Sequence, residues 1–79
     1  MASLKVHITF PEAKIKDPII YQIGHEYKVV TNIRRADVTA KTGWMDVELT
    51  GDAAEIERAV AALKTKGVKV DPIERNIIE

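Results

Sequence analysis

Between Leu4 and Phe10 the chain alternates without a break. Leu4, Val6, Ile8 and Phe10 are apolar, while Lys5, His7 and Thr9 between them are polar. A period of two marks a strand with one face in a core and the other outside it. Such a strand needs partners on both edges and a cover on its apolar side, and the rest of the chain must supply them. Pro11 removes a backbone donor and ends the ladder. A short charged loop, Glu12 to Lys16, follows.

The cover is written next. Asp17-Pro18 reads as a helix start, with Asp to cap the free amides and Pro pre-set for the first helical position. Ile19, Ile20, Ile23 and Tyr27 then fall on one helical face. Gly24 inside this stretch costs about 1 kcal/mol relative to Ala, which suggests close packing against the sheet. Val29 to Val38 is rich in β-branched residues. Its parity slips: Val29, Thr31 and Ile33 share one face, whereas Ala36 and Val38 hold the other, and a bulge near Arg34-Arg35 reconciles the halves. Ala40-Lys41-Thr42-Gly43 supplies a hairpin turn, and Trp44 to Thr50 returns with Met45, Val47 and Leu49 inward.

Gly51 breaks that strand, and Asp52 with Glu55 has the spacing of a capping box. Ile56, Ala59, Val60 and Leu63 form a second helical stripe. Gly67 after Lys64 and Lys66 is the expected helix end. Val68 to Asp71 is a last short strand, and Pro72 demands an edge or terminal position. The apolar pair Ile77-Ile78 lies beyond it, either adding to a sheet edge or leading into something further along the chain.

Strand, helix, strand, strand, helix, strand is the α+β, ferredoxin-like βαββαβ arrangement, a four-stranded antiparallel sheet with two helices on one face. With 79 residues there is room for a single domain, 1–79, and no second core. Twelve basic and twelve acidic residues cancel, which argues against a nucleic-acid platform. Zero Cys removes thiolate metal sites and cluster ligands, so no cofactor is expected. No apolar run approaches the ~20 residues of a membrane span, and Met1-Ala2-Ser3-Leu4 lacks an export signal. A cytoplasmic domain without membrane insertion is the expectation.

The fold selects no function by itself. The loop after the first strand has no Cys pair for a heavy metal and no Gly-rich, Arg-bearing cradle for an acyl phosphate. His7, on the uncovered face, is expected beside Asp46 and Glu48. This is either a tuned His–carboxylate pair or a solvated cross-strand pair; the second is preferred, because a lone His without nucleophile or ligand cluster is weak ground for catalysis. Trp44, on the same face, is either an interaction hot spot or a lid over its turn. Arg34 and Arg35 either guard a strand edge against uncontrolled pairing or grip an anionic group such as a carboxylate, and guarding is preferred. No catalytic set is visible, so the chain reads as a non-enzyme.

Thr31-Asn32-Ile33, Ala36-Asp37-Val38, Gly43-Trp44, Val47-Glu48-Leu49-Thr50-Gly51 and Ile56…Ala59…Leu63…Gly67-Val68 together resemble the NIL domain family over nearly the whole chain. The resemblance implies a ferredoxin-like regulatory domain, best known at the C-terminus of methionine-import ATP-binding subunits, where it pairs with its twin and binds methionine. A second branch precedes iron–sulfur ferredoxin modules, and Pro18-Ile19-Ile20-Tyr21, Thr31-Asn32-Ile33-Arg34-Arg35-Ala36 and Val70-Asp71-Pro72-Ile73-Glu74 look more like that branch. Carried over by position, Asn32 meets a ligand's amino or carboxylate group and Ile33 is its apolar neighbour. Arg34 stands where the motif has Leu, which changes pocket polarity and weakens the case for methionine. Asn32 is also disfavoured in a β-branched run, so its amide is either used by a ligand or satisfies backbone near the bulge.

The expectation is therefore a non-catalytic regulatory or interaction domain. It forms a homodimer, contacts others through Trp44, Ile77 and Ile78, and senses a small amino-acid-like ligand at Asn32, Ile33 and Arg34. The alternative is a docking domain attached to an iron–sulfur electron-transfer module.

Overall fold

The computed structural model describes residues 2–77, with side chains for 2–73. The elements run β1 (Ala2–Phe10), a 3-10 turn (Glu12–Lys14), α1 (Ile19–Glu26), β2 (Val29–Val38), β3 (Gly43–Gly51), α2 (Ala53–Thr65) and β4 (Lys69–Ile77). The strands make one antiparallel sheet in the order β2-β3-β1-β4, which is the ferredoxin-like arrangement the periodicities predict.

The alternating residues Leu4, Val6, Ile8 and Phe10 join Val47 and Leu49 in one cluster. Ile19 and Ile23 of α1 and Ile56, Ala59, Ala62 and Leu63 of α2 complete it, so both helices cover the same face. Val6, Ile8, Ile23, Val47, Leu49 and Leu63 are fully buried, each worth about 1.5–3 kcal/mol of apolar transfer. Gly67 closes α2 at φ 89°, where a side chain would be strained. Lys66, just before it, reaches back to Glu26 at 3.6 Å and ties the helix ends together.

Local signals were overruled at several places. Pro18 leaves the helical region, so α1 begins at Ile19 and Asp17 places no side-chain oxygen on its amides. Instead the Asp17 carbonyl accepts the Ile19 N–H at 2.8 Å. The capping box does not form: Asp52 sits at the N-cap of α2 without a side-chain bond. Glu55 accepts the Lys28 N–H at 3.0 Å and pairs with Arg58 at 3.1 Å. A long-range tie to the chain entering β2 has replaced a local one. Gly24 is not tightly packed either. A Cβ there would meet Thr31 Oγ1 at 3.5 Å, an ordinary contact. Gly51 is the demanding one, since its Cβ would lie 2.7 Å from the Lys28 carbonyl.

Pro72 does not end the last strand. β4 lies at the sheet edge, where the missing N–H need break no ladder bond, and it continues to Ile77, opposite Ala2. Of the apolar tail, Ile77 therefore adds to the sheet edge, while Ile78 lies outside the described residues. At the other edge, β2 outruns its cover. Past Thr31 its side chains are exposed even on the helix side, with Ile33 at 54% and Val38 at 48%.

Candidate functional site

Both edge strands are bulged. In β2, Ile33 pairs with Val47 and Arg35 with Asp46, leaving Arg34 as the extra residue, as the parity slip predicts. In β4, Glu74 pairs with Lys5 and Pro72 with Val6, leaving Ile73 as the extra residue. Since Val6 is opposite Val47, the two bulges flank the same level of the sheet. Bulges bend a strand, increase its twist and re-aim side chains. Between them, on the face without helices, lies a shallow trough lined by Lys5, Arg34, Arg35, Asp46, Val47 and Ile73.

Strand alternation would send Arg34 and Arg35 to opposite faces. The bulge brings both to the open one, where Arg34 pairs with Glu48 and Arg35 with Asp46. Asp46 is the centre of this face and only 7% exposed. Its Oδ2 accepts Arg35 Nε at 3.1 Å and Nη2 at 2.8 Å. Its Oδ1 lies 2.6 Å from His7 Nδ1. The hydrogen bond with His7 holds the Asp46 carboxyl below its usual range; burial pushes upward, and Arg35 helps outweigh it. An ionised carboxylate only accepts, so Nδ1 carries the proton. Trp44 roofs the group: its ring stacks on His7 at 5.3 Å between centroids, and the Arg35 guanidinium lies 6.0 Å from it.

The pairing of His7 with Asp46 is thus direct, and it is buried rather than solvated on the carboxylate side. Trp44 serves as a half-buried lid on that pair. Asn32, Ile33 and Arg34 are exposed neighbours on β2. Asn32 stands opposite Glu48, whereas Ile33 has the inward parity opposite Val47, so the two present to different faces of the edge strand. Sequence reasoning missed Lys5 and Ile73 as lining residues. Ile73 gave no signal, because Pro72 before it reads as a strand end. Among the described residues no group of His, Asp and Glu is placed to hold a metal ion, and no helix is long and apolar enough to cross a membrane.

Solved structures share this architecture. The C-terminal domain of an ABC transporter ATP-binding protein from Enterococcus faecalis is 26% identical, with a TM-score of 0.77 over 89% of this chain and 82% of that one. A de novo designed protein, Foldit4, is 18% identical with a TM-score of 0.62, over 99% and 98% of the two chains, and speaks to the fold alone. So does a protein from Burkholderia cenocepacia named for amidohydrolase/peptidase activity, 13% identical with a TM-score of 0.68, of which 28% is covered by 95% of this chain. No curated protein sequence matches. The family model of the NIL domain matches residues 4–72, a span that holds both bulges and the paired charges between them: the chain belongs to the NIL domain family.

Proposed function

We propose that this chain is a non-catalytic regulatory module of the cytoplasm that self-associates and senses a small amino-acid-like ligand at the β2 edge. The observation that carries the reading is the NIL domain match over residues 4–72, together with the likeness to a C-terminal domain of a transporter's ATP-binding protein. In this reading the module works with the ATP-binding protein of an ABC transporter, as the likeness supports, and sets its turnover according to ligand supply. Asn32, Ile33 and Arg34 are exposed on an edge strand, where a ligand or a second copy can reach both side chains and backbone. With Arg34 in the Leu place of the motif, the site gains a cation that suits a ligand's carboxylate, and methionine itself is disfavoured.

Calorimetric titration against the common amino acids tests the sensor. Heat with at least one, reduced by Asn32→Ala without loss of fold, is the expected result; no heat with any would end it. Sedimentation at high micromolar concentration tests self-association, for which a clean monomer is the contrary outcome. A second reading, a docking domain for an iron–sulfur electron-transfer module, is favoured by the three segments that resemble the ferredoxin-linked branch. Sequencing the gene beyond Glu79 discriminates: a series of Cys-x-x-Cys motifs supports docking.

A further inference from the structure

We infer that the open-face trough between the two bulges binds a small aliphatic carboxylate, the acid group on Arg34 and Arg35 and the hydrocarbon body against Ile73. The inference rests on the sensing half of the reading above and extends its site from Arg34 at the β2 edge across the open sheet face.

Arg34 and Arg35 line the trough beside Asp46, each held by an acid of β3, Glu48 and Asp46 respectively. Arg35 commits Nε and Nη2 to Asp46, which leaves Nη1 with both protons. Arg34 commits Nη2 to Glu48, which leaves Nε and Nη1. The two acids therefore fix the guanidiniums without exhausting them. Donors held in place lose less freedom when a ligand arrives, and a planar fork suits a carboxylate. The opposite wall is apolar: Ile73 is 56% exposed, and the bulge of β4 brings it to the trough. The guanidiniums are held on Asp46 and Glu48 of β3, and from β3 to β4 is two strand spacings, roughly 10 Å, a gap that a ligand of five or six carbons fills with a contact at each end. Lys5, between them, offers its methylene stem to the hydrocarbon. An α-ammonium is not needed for such a fit.

Titration calorimetry with 4-methylpentanoate, its carboxamide, leucine and inorganic phosphate tests the site. The acid and leucine are expected to bind, and the carboxamide and phosphate are not. Arg34→Gln and Arg35→Gln are each expected to weaken the acid about tenfold, the worth of one charge-assisted hydrogen bond. Ile73→Ser should weaken it about fivefold. Because Arg35→Gln disturbs the pair with Asp46, Arg34→Gln and Ile73→Ser, both outside that pair, carry the test if Arg35→Gln fails to fold. Equal binding of the carboxamide or phosphate overturns the inference. So do folded Arg34→Gln and Ile73→Ser variants that bind like the parent; leucine binding untouched by them leaves the sensor reading standing without this site. Silence from every titrant, with no heat from other amino acids, removes both.

Discussion

The two faces of the central strands β1 and β3 both bury their middle, by opposite means. On the helix side Val6, Ile8, Val47 and Leu49 vanish beneath Ile23, Ile56 and Leu63. On the other side Asp46 is covered by His7, Arg35 and Trp44. The first cover is non-directional and proportional to area. The second depends on protonation and on the alignment of charges. A sheet with no second layer of helices can still bury its outer centre, provided the side chains there pair among themselves.

The widest separation between the faces should come from truncating the apolar one. Leu63→Ala is expected to cost about 2–5 kcal/mol, read from urea unfolding, with little change on adding salt; a strongly salt-dependent loss would blur the distinction. Gly51→Ala is expected to cost about 1–3 kcal/mol, because its Cβ would press on the Lys28 carbonyl. A neutral result there would mean that the loop before β2 yields.

The paired-charge face is broken by acid. The Asp46 carboxyl is held below its unfolded value, so the unfolded chain binds more protons and stability rises with pH through that window. The contribution is whole above about pH 4 and is lost as pH falls through the folded value. Asp46→Asn should flatten this acid limb in thermal melts run from pH 2 to 7, whereas Leu63→Ala should shift the curve bodily. An unchanged limb in Asp46→Asn would assign the acid sensitivity elsewhere. The smallest effect has the opposite sign. Gly24→Ala should add up to about 1 kcal/mol, since the added methyl finds Thr31 at ordinary contact distance; a loss would show that the rim of the helix face is as tight as its centre.

Much of this was legible in the chain. The alternation of β1, the stripe of α2, the stop at Gly67 and the bulge at Arg34 all follow from period and parity, which are properties of neighbours in sequence. What was not legible depended on partners far along the chain. Glu55 looks like a cap but serves Lys28, 27 residues away. Pro72 looks like a terminator, yet an edge position makes it harmless. Asp46 has the parity of a solvated residue, and only the slip that turns Arg35 onto its face, together with His7 39 residues distant, makes it a buried one. For the site, Asn32 and Arg34 could be nominated from sequence, but the alignment of two bulges on opposite edges is a matter of register between strands.

The single Trp44 sits wholly within the charge-paired layer, and this gives the molecule an optical asymmetry. Its ultraviolet emission reports the state of one side of the sheet, whereas far-ultraviolet dichroism is dominated by the helices on the other. Below about pH 4, where the Asp46 carboxylate is lost, the two signals should part company, emission changing first while the hydrocarbon layer holds.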